Sequence, residues 1–220
     1  MLPLPQKFSE ARDPVSSYTH FIGAMLSAAG LLWLTFLTFT RPGFNASKAA
    51  SVLIFGLSLV ALYATSARYH YVKGTDRELL PLRKLDHAMI YVLIAGSYTP
   101  VLLTYFPQPK GYLFTAAIWG IAVAGILIKV CWFDAPRWLY TGLYLLMGWA
   151  IVFDLPALAA VPRGEIALLL AGGIFYTIGG GIYAVKKPNF SRQFGFHELF
   201  HIFVMLGSLM HFVGILLYVV

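Results

Sequence analysis

The sequence has few charged residues for its length. Only 11% of its 220 residues are Asp, Glu, Lys or Arg, whereas an ordinary soluble domain has about 25%. Hydrophobic residues make up 59%. A soluble fold of this size cannot bury that much apolar surface, and disordered chains have the opposite composition. The composition therefore excludes both classes and predicts an integral membrane protein.

Cysteine is almost absent. Cys131 is the single cysteine of the chain, so an intrachain disulfide cannot form and a cysteine-based zinc site is excluded. Any metal site must therefore be built from histidine and carboxylate side chains.

Seven stretches without Asp, Glu, Lys or Arg are long enough to cross a bilayer, which takes about 20 residues. They are Pro14–Thr40, Ala49–Ala67, His87–Pro109, Gly111–Ile128, Trp138–Phe153 with a continuation past Asp154 to Val161, Ile166–Val185 and Leu199–Val220. The sequence thus predicts an all-α membrane protein, with residues 1–16 as a cytoplasmic tail and residues 17–220 as a single seven-helix domain. The short, proline-containing loops predict that sequential helices are antiparallel neighbours.

Lys and Arg are distributed unequally between the two sets of loops. Twelve of the sixteen lie in the N-terminal tail and in the loops after the second, fourth and sixth spans: Lys7, Arg12, Arg68, Lys73, Arg77, Arg83, Lys84, Lys129, Arg137, Lys186, Lys187 and Arg192. The positive-inside rule then predicts a cytoplasmic N-terminus and an external C-terminus. The net charge of +7 is explained by this asymmetry, and no nucleic-acid partner is expected.

Ionisable side chains cluster at the predicted cytoplasmic ends of three spans. His70 closes the second span, Asp86 opens the third, and His197 and His201 open the seventh. Such groups in a membrane segment are candidates for function. His197 and His201 are four residues apart and share a helix face. With His70 they form the three-imidazole set of a catalytic zinc site, and Asp86 could hold the zinc water and take its proton.

Each member of this cluster also has a structural interpretation. His70 could be an interfacial histidine facing solvent, and Asp86 could be a carboxylate favoured by the helix dipole. The segment His197–His201 also matches HExxH, in which Glu198 would be the general base of a metalloprotease. An intramembrane protease would usually need a later acidic ligand, and no acidic residue follows Glu198. The joint position of the cluster favours a metal site, and the protease ranks below it.

The remaining polar groups of the spans are interpreted as supporting or structural. His20 lies at the start of the first span and is either near the site or part of the packing. Lys129 is expected to extend towards solvent from the end of the fourth span. Packing or interfacial roles are expected for His87, His211, Asp154 and the small-residue series Gly173, Thr177 and Gly181.

Three motifs occur in a fixed order along the chain. They are Ser66–His70, then Lys84–Tyr91 with Ala95–Pro100, then His197–His201 with Gly207–Ser208 and His211–Phe212. Together they resemble the hemolysin III proteins of bacteria, a branch of the progestin and adipoQ receptor family that includes the adiponectin receptors. The resemblance covers the chain from about Asp13 onwards.

The resemblance implies a seven-helix bundle in the bacterial cell membrane with Zn2+ bound near the cytoplasmic face. His70, His197 and His201 would be the ligands, Asp86 would bind the zinc water, and Ser66 would be its neighbour. Relatives are associated with ceramidase-type hydrolysis of lipid amides and with membrane lipid homeostasis. The segment Asp13–His20 departs from the acidic and Asn-containing pattern of bacterial relatives, so the resemblance assigns no role to it.

Two functions follow as hypotheses. The first is a zinc-dependent hydrolase of a membrane lipid amide, in which Asp86 relays a proton and Ser66 positions groups by hydrogen bonding. The second is a non-enzymatic protein with a structural zinc that senses lipid, acts as a receptor or permeabilises the membrane. An open fourth position on the metal, facing a lipid-sized cavity, would favour the hydrolase.

Overall fold

The structure, a computed structural model, describes residues 4–191 and 194–220. Within these residues all regular secondary structure is helical, and short loops join the helices. Seven of these helices are long and apolar enough to cross a membrane: α1 (Pro14–Thr40), α2 (Ala46–Tyr71), α3 (Asp76–Tyr105), α4 (Lys110–Cys131), α5 (Arg137–Leu158), α6 (Arg163–Val185) and α7 (Phe196–Val219). The predicted all-helical membrane fold is confirmed for this part of the chain.

Sequential helices pack against one another along most of the chain. The closest pairs are α1 with α2, α2 with α3, α3 with α4, and α6 with α7, while α1 also contacts α7. α5 approaches its neighbours least closely. We call the end of the bundle where α2 ends and α7 begins the histidine end, because His70, His197 and His201 lie there. Its assignment to the cytoplasm remains the prediction from the basic residues, of which Arg192 lies outside the described residues.

The third helix begins earlier than the charge pattern predicts. Thr75 caps it by a reciprocal arrangement, in which the Glu78 N–H donates to Thr75 Oγ1 at 3.4 Å and the Thr75 N–H donates to Glu78 Oε2 at 2.8 Å. Asp86 therefore does not open α3 but lies about three turns inside it. Charge limits how far a helix enters the bilayer, whereas hydrogen bonding and capping decide where the helix starts.

The fifth helix is broken near its middle. A regular helix covers Arg137–Gly148, and a 3-10 turn follows over Ala150–Asp154. The Tyr98 hydroxyl donates to the Gly148 carbonyl at 2.7 Å and accepts from the Ile151 N–H at 3.0 Å. This side chain replaces the backbone hydrogen bonds that the break removes, as membrane-buried backbone requires. The sequence predicts a continuous span here, because the partner of the break comes from another helix.

Asp154 has the structural role expected for it. Its carboxylate forms an ion pair with Lys110 at the start of α4, and it accepts a hydrogen bond from the Ala157 N–H at 3.4 Å. The pair ties α4 to the last turn of α5 at the end of the bundle opposite the histidine end.

Small residues bring α6 and α7 together, and the contact is made by Gly172 and Gly179, which stand beside the Gly173–Thr177–Gly181 series. A Cβ on Gly172 would lie 2.7 Å from His211 Cδ2 and 3.2 Å from the Gly207 carbonyl. Gly173 instead faces Trp149 of α5, whose indole N–H donates to Thr177 at 2.9 Å. Gly181 has open space around it. The close approach therefore depends on Gly172, one residue before the Gly173–Thr177–Gly181 series.

We expect Gly172→Ala to destabilise the protein and Gly181→Ala on the same helix to leave its stability unchanged or raised. Both changes remove the flexibility of glycine from a helix, which favours folding by about 1 kcal/mol. Only the first adds a methyl group against a neighbouring helix, and overpacking costs about 1–3 kcal/mol. Thermal unfolding in detergent measures the difference, and equal midpoints for the two variants would contradict the packing described here.

Candidate metal centre

Three histidines from two helices converge at the histidine end. One ring nitrogen from each of His70, His197 and His201 lies within 4.8 Å of the others, and Nε2 of His70 is 3.3 Å from Nε2 of His197. His70 and His201 are buried, and His197 is partly exposed. Two nitrogens bound to one tetrahedral zinc at 2.0–2.1 Å would be ~3.3 Å apart. The three side chains that the sequence singles out therefore have the spacing of a metal-ligand set.

The N-terminal segment orients His70. The Asp13 N–H donates to the His70 carbonyl at 3.0 Å, and Ser17 Oγ donates to the Ala67 carbonyl at 3.1 Å, so the start of α1 lies along the end of α2. This places Asp13 Oδ2 at 2.9 Å from His70 Nδ1. A carboxylate can only accept, so Nδ1 carries the proton and the lone pair of Nε2 is directed at the other histidines. A carboxylate behind a ligand histidine is a common feature of zinc sites.

Asp13 is ionised at neutral pH. Partial burial raises its pKa, but the hydrogen bond from His70 and the hydrogen bond and charge of Arg12 outweigh this and lower the pKa below its ordinary value. The Arg12 guanidinium lies 2.9 Å from the same carboxylate oxygen. The sequence gives no sign of this role, because Asp13 and His70 are 57 positions apart and meet only when α1 packs on α2.

Glu198 stabilises the start of α7. One of its oxygens accepts from Ser16 Oγ at 2.9 Å, and the other accepts from the Gly195 N–H at 2.8 Å. Both oxygens are therefore engaged in joining α7 to α1 and in satisfying a free backbone N–H of the first turn. This arrangement argues against Glu198 as the general base of a protease.

His20 lies against the histidine cluster. Its ring stacks on that of His201 with centroids 3.7 Å apart and an interplanar angle of 15°. Within residues 4–191 and 194–220, neither ring nitrogen of His20 has a hydrogen-bond partner, and both are buried. The side chain also lines the central cavity. The sequence allows His20 to lie either near the site or in the helix packing, and in the structure it lies beside the site.

A cavity of about 340 Å³ extends from the histidines into the bundle. This volume lies within the range of ligand-binding pockets. Four predicted site residues line its polar end: Ser66, Asp86, His197 and His201. The remaining wall is mostly apolar and includes the broken segment of α5, with side chains such as Ile94, Val152, Leu155, Leu158 and Leu169. The cavity therefore combines a small polar end with an apolar interior.

Asp86 and Ser66 face each other across adjacent helices. Ser66 of α2 and Asp86 of α3 both line the cavity beside His197 and His201. Ser66 is buried, whereas Asp86 keeps some exposure because it faces the cavity. The structure thus brings the predicted carboxylate, serine and histidines to one place.

The other polar residues of the spans lie outside this cluster. His211 stacks on Tyr176 with ring centroids 5.5 Å apart. His87 contacts Phe133 and Tyr140. Lys129 does not extend to solvent as predicted, since only 2% of it is exposed. Its ammonium lies 3.6 Å from the Tyr140 ring centroid and donates to the Phe133 carbonyl, so an aromatic ring and a carbonyl replace water.

Comparison with known proteins gives a consistent set of relatives. The model of the family described as Haemolysin-III related matches residues 8–212. Hemolysin-3 of Bacillus cereus is 36% identical over 207 residues, which cover 93% of this chain and 90% of that protein. The Hemolysin-3 homolog of Bacillus subtilis (strain 168) is 33% identical over 214 residues and 97% of both chains. The Adiponectin receptor protein of Drosophila melanogaster is 26% identical over 224 residues, 90% of this chain and 48% of that protein.

Proposed function

The chain belongs to the Haemolysin-III related family of membrane proteins, and from this premise we propose that it is a zinc-dependent hydrolase of a membrane lipid amide. One observation carries the proposal. Two of the clustered histidines, His197 and His201, line the same cavity as Asp86, and the rest of that cavity is mostly apolar. A polar reacting group on a lipid would lie at the histidines while its acyl chain occupied the interior.

The residues fit a zinc ion in number, type and charge. Three imidazoles leave one position for water or substrate, as in catalytic zinc sites. Asp13 and Asp86 each bring one negative charge close to the histidines. Arg12 pairs with Asp13, so the two carboxylates balance part of the positive charge of the ion, which limits the cost of burying it. When bound, zinc would polarise an amide carbonyl and lower the pKa of a water to about 7.

Asp86 lies where it could transfer a proton from the water to the departing amine. In amide hydrolysis the oxygen of water forms a bond to the carbonyl carbon, and the bond between that carbon and nitrogen breaks. One proton of the water must move to the departing amine. Asp86 would accept this proton and deliver it to the nitrogen, and Ser66, which lines the same cavity, would hold the carboxylate in place. The products are a fatty acid and an amine.

The remaining residues bind the substrate and keep the site in order. The apolar wall between α3, α5, α6 and α7 would hold the acyl chain and exclude bulk water. Asp13 keeps His70 in the correct tautomer. Glu198 fixes the start of α7 and therefore the positions of His197 and His201.

Release of fatty acid by the purified protein tests the proposal. The zinc-loaded protein is incubated with N-palmitoyl amides that differ in their amine half, and palmitate is quantified by mass spectrometry. We expect release that a chelator abolishes and that zinc, but not magnesium, restores. Stoichiometric zinc together with no release from any amide would overturn the hydrolase and favour a non-enzymatic lipid-binding protein with a structural zinc.

We expect Asp13→Asn to weaken zinc binding by about 10–100-fold, the usual effect of removing a carboxylate behind a ligand histidine. The amide can still contact Nδ1 of His70 but brings no charge. Competition with a zinc chelator of known affinity measures the change. Glu10→Gln, an acid-to-amide change at an exposed position of the same segment, is the matched control and should not alter affinity. Equal affinities for the two variants would contradict the role of Asp13.

A further inference from the structure

Four basic side chains gather beside the cavity at the histidine end. Three of them surround one ring: Arg83 Cζ, Lys84 Nζ and Lys129 Nζ lie 5.0, 5.8 and 4.5 Å from the centroid of Phe133. The fourth, Arg137, has its Cζ 4.4 Å from the ring centroid of Tyr183. We call Arg83, Lys84, Lys129 and Arg137 the basic collar. They come from α3, α4 and α5, so the fold and not a local charge run brings them together.

The basic collar lacks ion-pair partners. Among residues 4–191 and 194–220, no carboxylate lies within 4.0 Å of any of its four cationic groups. Asp134 acts on the charge of Lys129 only from a longer distance. Arg83, Lys84 and Lys129 lie close to one another, because all three cationic groups contact the same Phe133 ring. Like charges at such separations repel, and an anion between them would remove the repulsion.

Lys129 makes this arrangement unlike an ordinary basic loop. A lysine at a membrane surface normally extends its ammonium into water, but this one is buried between Tyr140 and the Phe133 carbonyl. Burial of an ammonium is costly unless an opposite charge or hydrogen bonds compensate it. One carbonyl and two rings, those of Tyr140 and Phe133, satisfy only part of this demand, because the ammonium carries three N–H donors, and Lys129 is thus able to bind an anion.

Only a layer of aromatic rings separates the basic collar from the cavity. Tyr140 and Tyr183 both line the cavity. The Lys129 ammonium contacts the Tyr140 ring, and the Arg137 guanidinium contacts the Tyr183 ring. The Tyr183 ring is in turn 5.9 Å from the ring of His197. A molecule with its acyl chain in the cavity and its polar bond at the histidines would place its head group near the basic collar.

We propose that the basic collar binds the oxyanion of a lipid head group, so that the preferred ligand is an acyl amide whose amine half carries a carboxylate or a phosphate. Arg83 and Arg137 offer the planar donors that bind such oxyanions in bidentate geometry, and the two lysines add charge. The position of the amide rests on the proposed function, whereas anion binding by the collar does not.

A matched pair of lipids tests the collar. N-palmitoylglycine and N-palmitoylethanolamine have the same acyl chain and amide, but only the first carries a carboxylate. Their affinities are measured by calorimetry on full-length Asp86→Asn protein in uncharged detergent, so that neither is consumed. We expect N-palmitoylglycine to bind at least about tenfold more tightly, and the preference to decrease at high salt. Equal affinities would overturn the proposal.

Substitutions in the basic collar test whether it causes the preference for N-palmitoylglycine. In the Asp86→Asn protein, additional Arg83→Gln or Arg137→Gln should bring the affinity ratio of the two lipids towards one without changing the affinity for N-palmitoylethanolamine. Arg83 is exposed, so its substitution is not expected to impair folding. Lys187→Gln, an exposed lysine at the same end but outside the collar, is the matched control and should keep the ratio. An equal loss in the control would assign the preference to general surface charge and overturn the proposal.

Competition experiments show whether the collar binds a lipid head group or a free anion, and the hydrolysis assay distinguishes failure of the collar from failure of the proposed function. Palmitoyl lysophosphatidylglycerol should compete with N-palmitoylglycine if the collar accepts phosphate as well as carboxylate head groups. Inorganic phosphate should compete only weakly, and tight competition by it would mean that the collar binds free anions and would overturn the lipid assignment. If N-palmitoylglycine is preferred but no amide is hydrolysed by the wild type, the proposed function fails while the collar stands. Hydrolysis without a preference gives the reverse result.

Discussion

Replacement of His70, His197 or His201 by alanine is expected to lower bound zinc from about one ion per chain to less than about a tenth of that. Each variant leaves two imidazoles, and zinc sites in proteins use at least three protein ligands. The effect should be similar for all three, although His70 lies on α2 and the other two lie on α7. Zinc in the purified protein is measured by mass spectrometry after dialysis.

His211→Ala is the matched control for this series. His211 lies on α7 like His201 and is partly buried, but it stacks on Tyr176 and lies outside the cluster. This variant should keep its zinc while losing a comparable amount of packing. Thermal unfolding of all four variants separates loss of metal from loss of fold. Full zinc occupancy in the three cluster variants would refute the metal site.

Asp86→Asn is expected to abolish most of the hydrolysis while leaving zinc in place. The amide keeps the shape of the side chain, but it cannot accept the proton of the attacking water. Removal of a general base typically costs about 10²–10⁴-fold in rate. The turnover number for release of palmitate should fall by this factor, and the Michaelis constant should change little because the apolar wall of the cavity is unaltered.

Asp154→Asn controls for the loss of one carboxylate from a membrane helix. Asp154 pairs with Lys110 at the opposite end of the bundle, far from the histidines. Its substitution should lower stability without changing the rate of hydrolysis per folded molecule. Full activity in Asp86→Asn would remove Asp86 from the mechanism. Loss of zinc in Asp86→Asn would instead mean that the carboxylate holds the ion and is not a proton acceptor.

Part of the candidate site follows from the sequence because the relevant contacts are local. The four-residue spacing of His197 and His201 places them on one helix face whatever the rest of the chain does. The position of His70 near the end of α2 follows from the length of an apolar segment. These two rules single out three histidines, and the structure brings those histidines together.

Other features could not be predicted because they depend on how the helices are rotated against one another. Asp13 meets His70 only through the packing of α1 on α2. Glu198 is within HExxH, yet Ser16 and the Gly195 N–H determine its role. Lys129 at the end of an apolar span is expected to reach solvent, and the ring that holds it belongs to α5. Asp13, Ser16 and Tyr140 each belong to a different segment from the residue that they contact.

The sequence by itself determined the class of fold and the end of the bundle at which the candidate chemistry lies. Apolar length and the scarcity of charge suffice for this, because a bilayer accepts only long apolar helices and places charged residues at their ends. The tertiary structure alone decided which side chains meet there. In the folded chain Asp13 contacts His70, and a cavity lies beside the broken α5. The four residues of the basic collar come together from three helices. Such contacts depend on side-chain packing between distant segments, which helix periodicity alone does not specify.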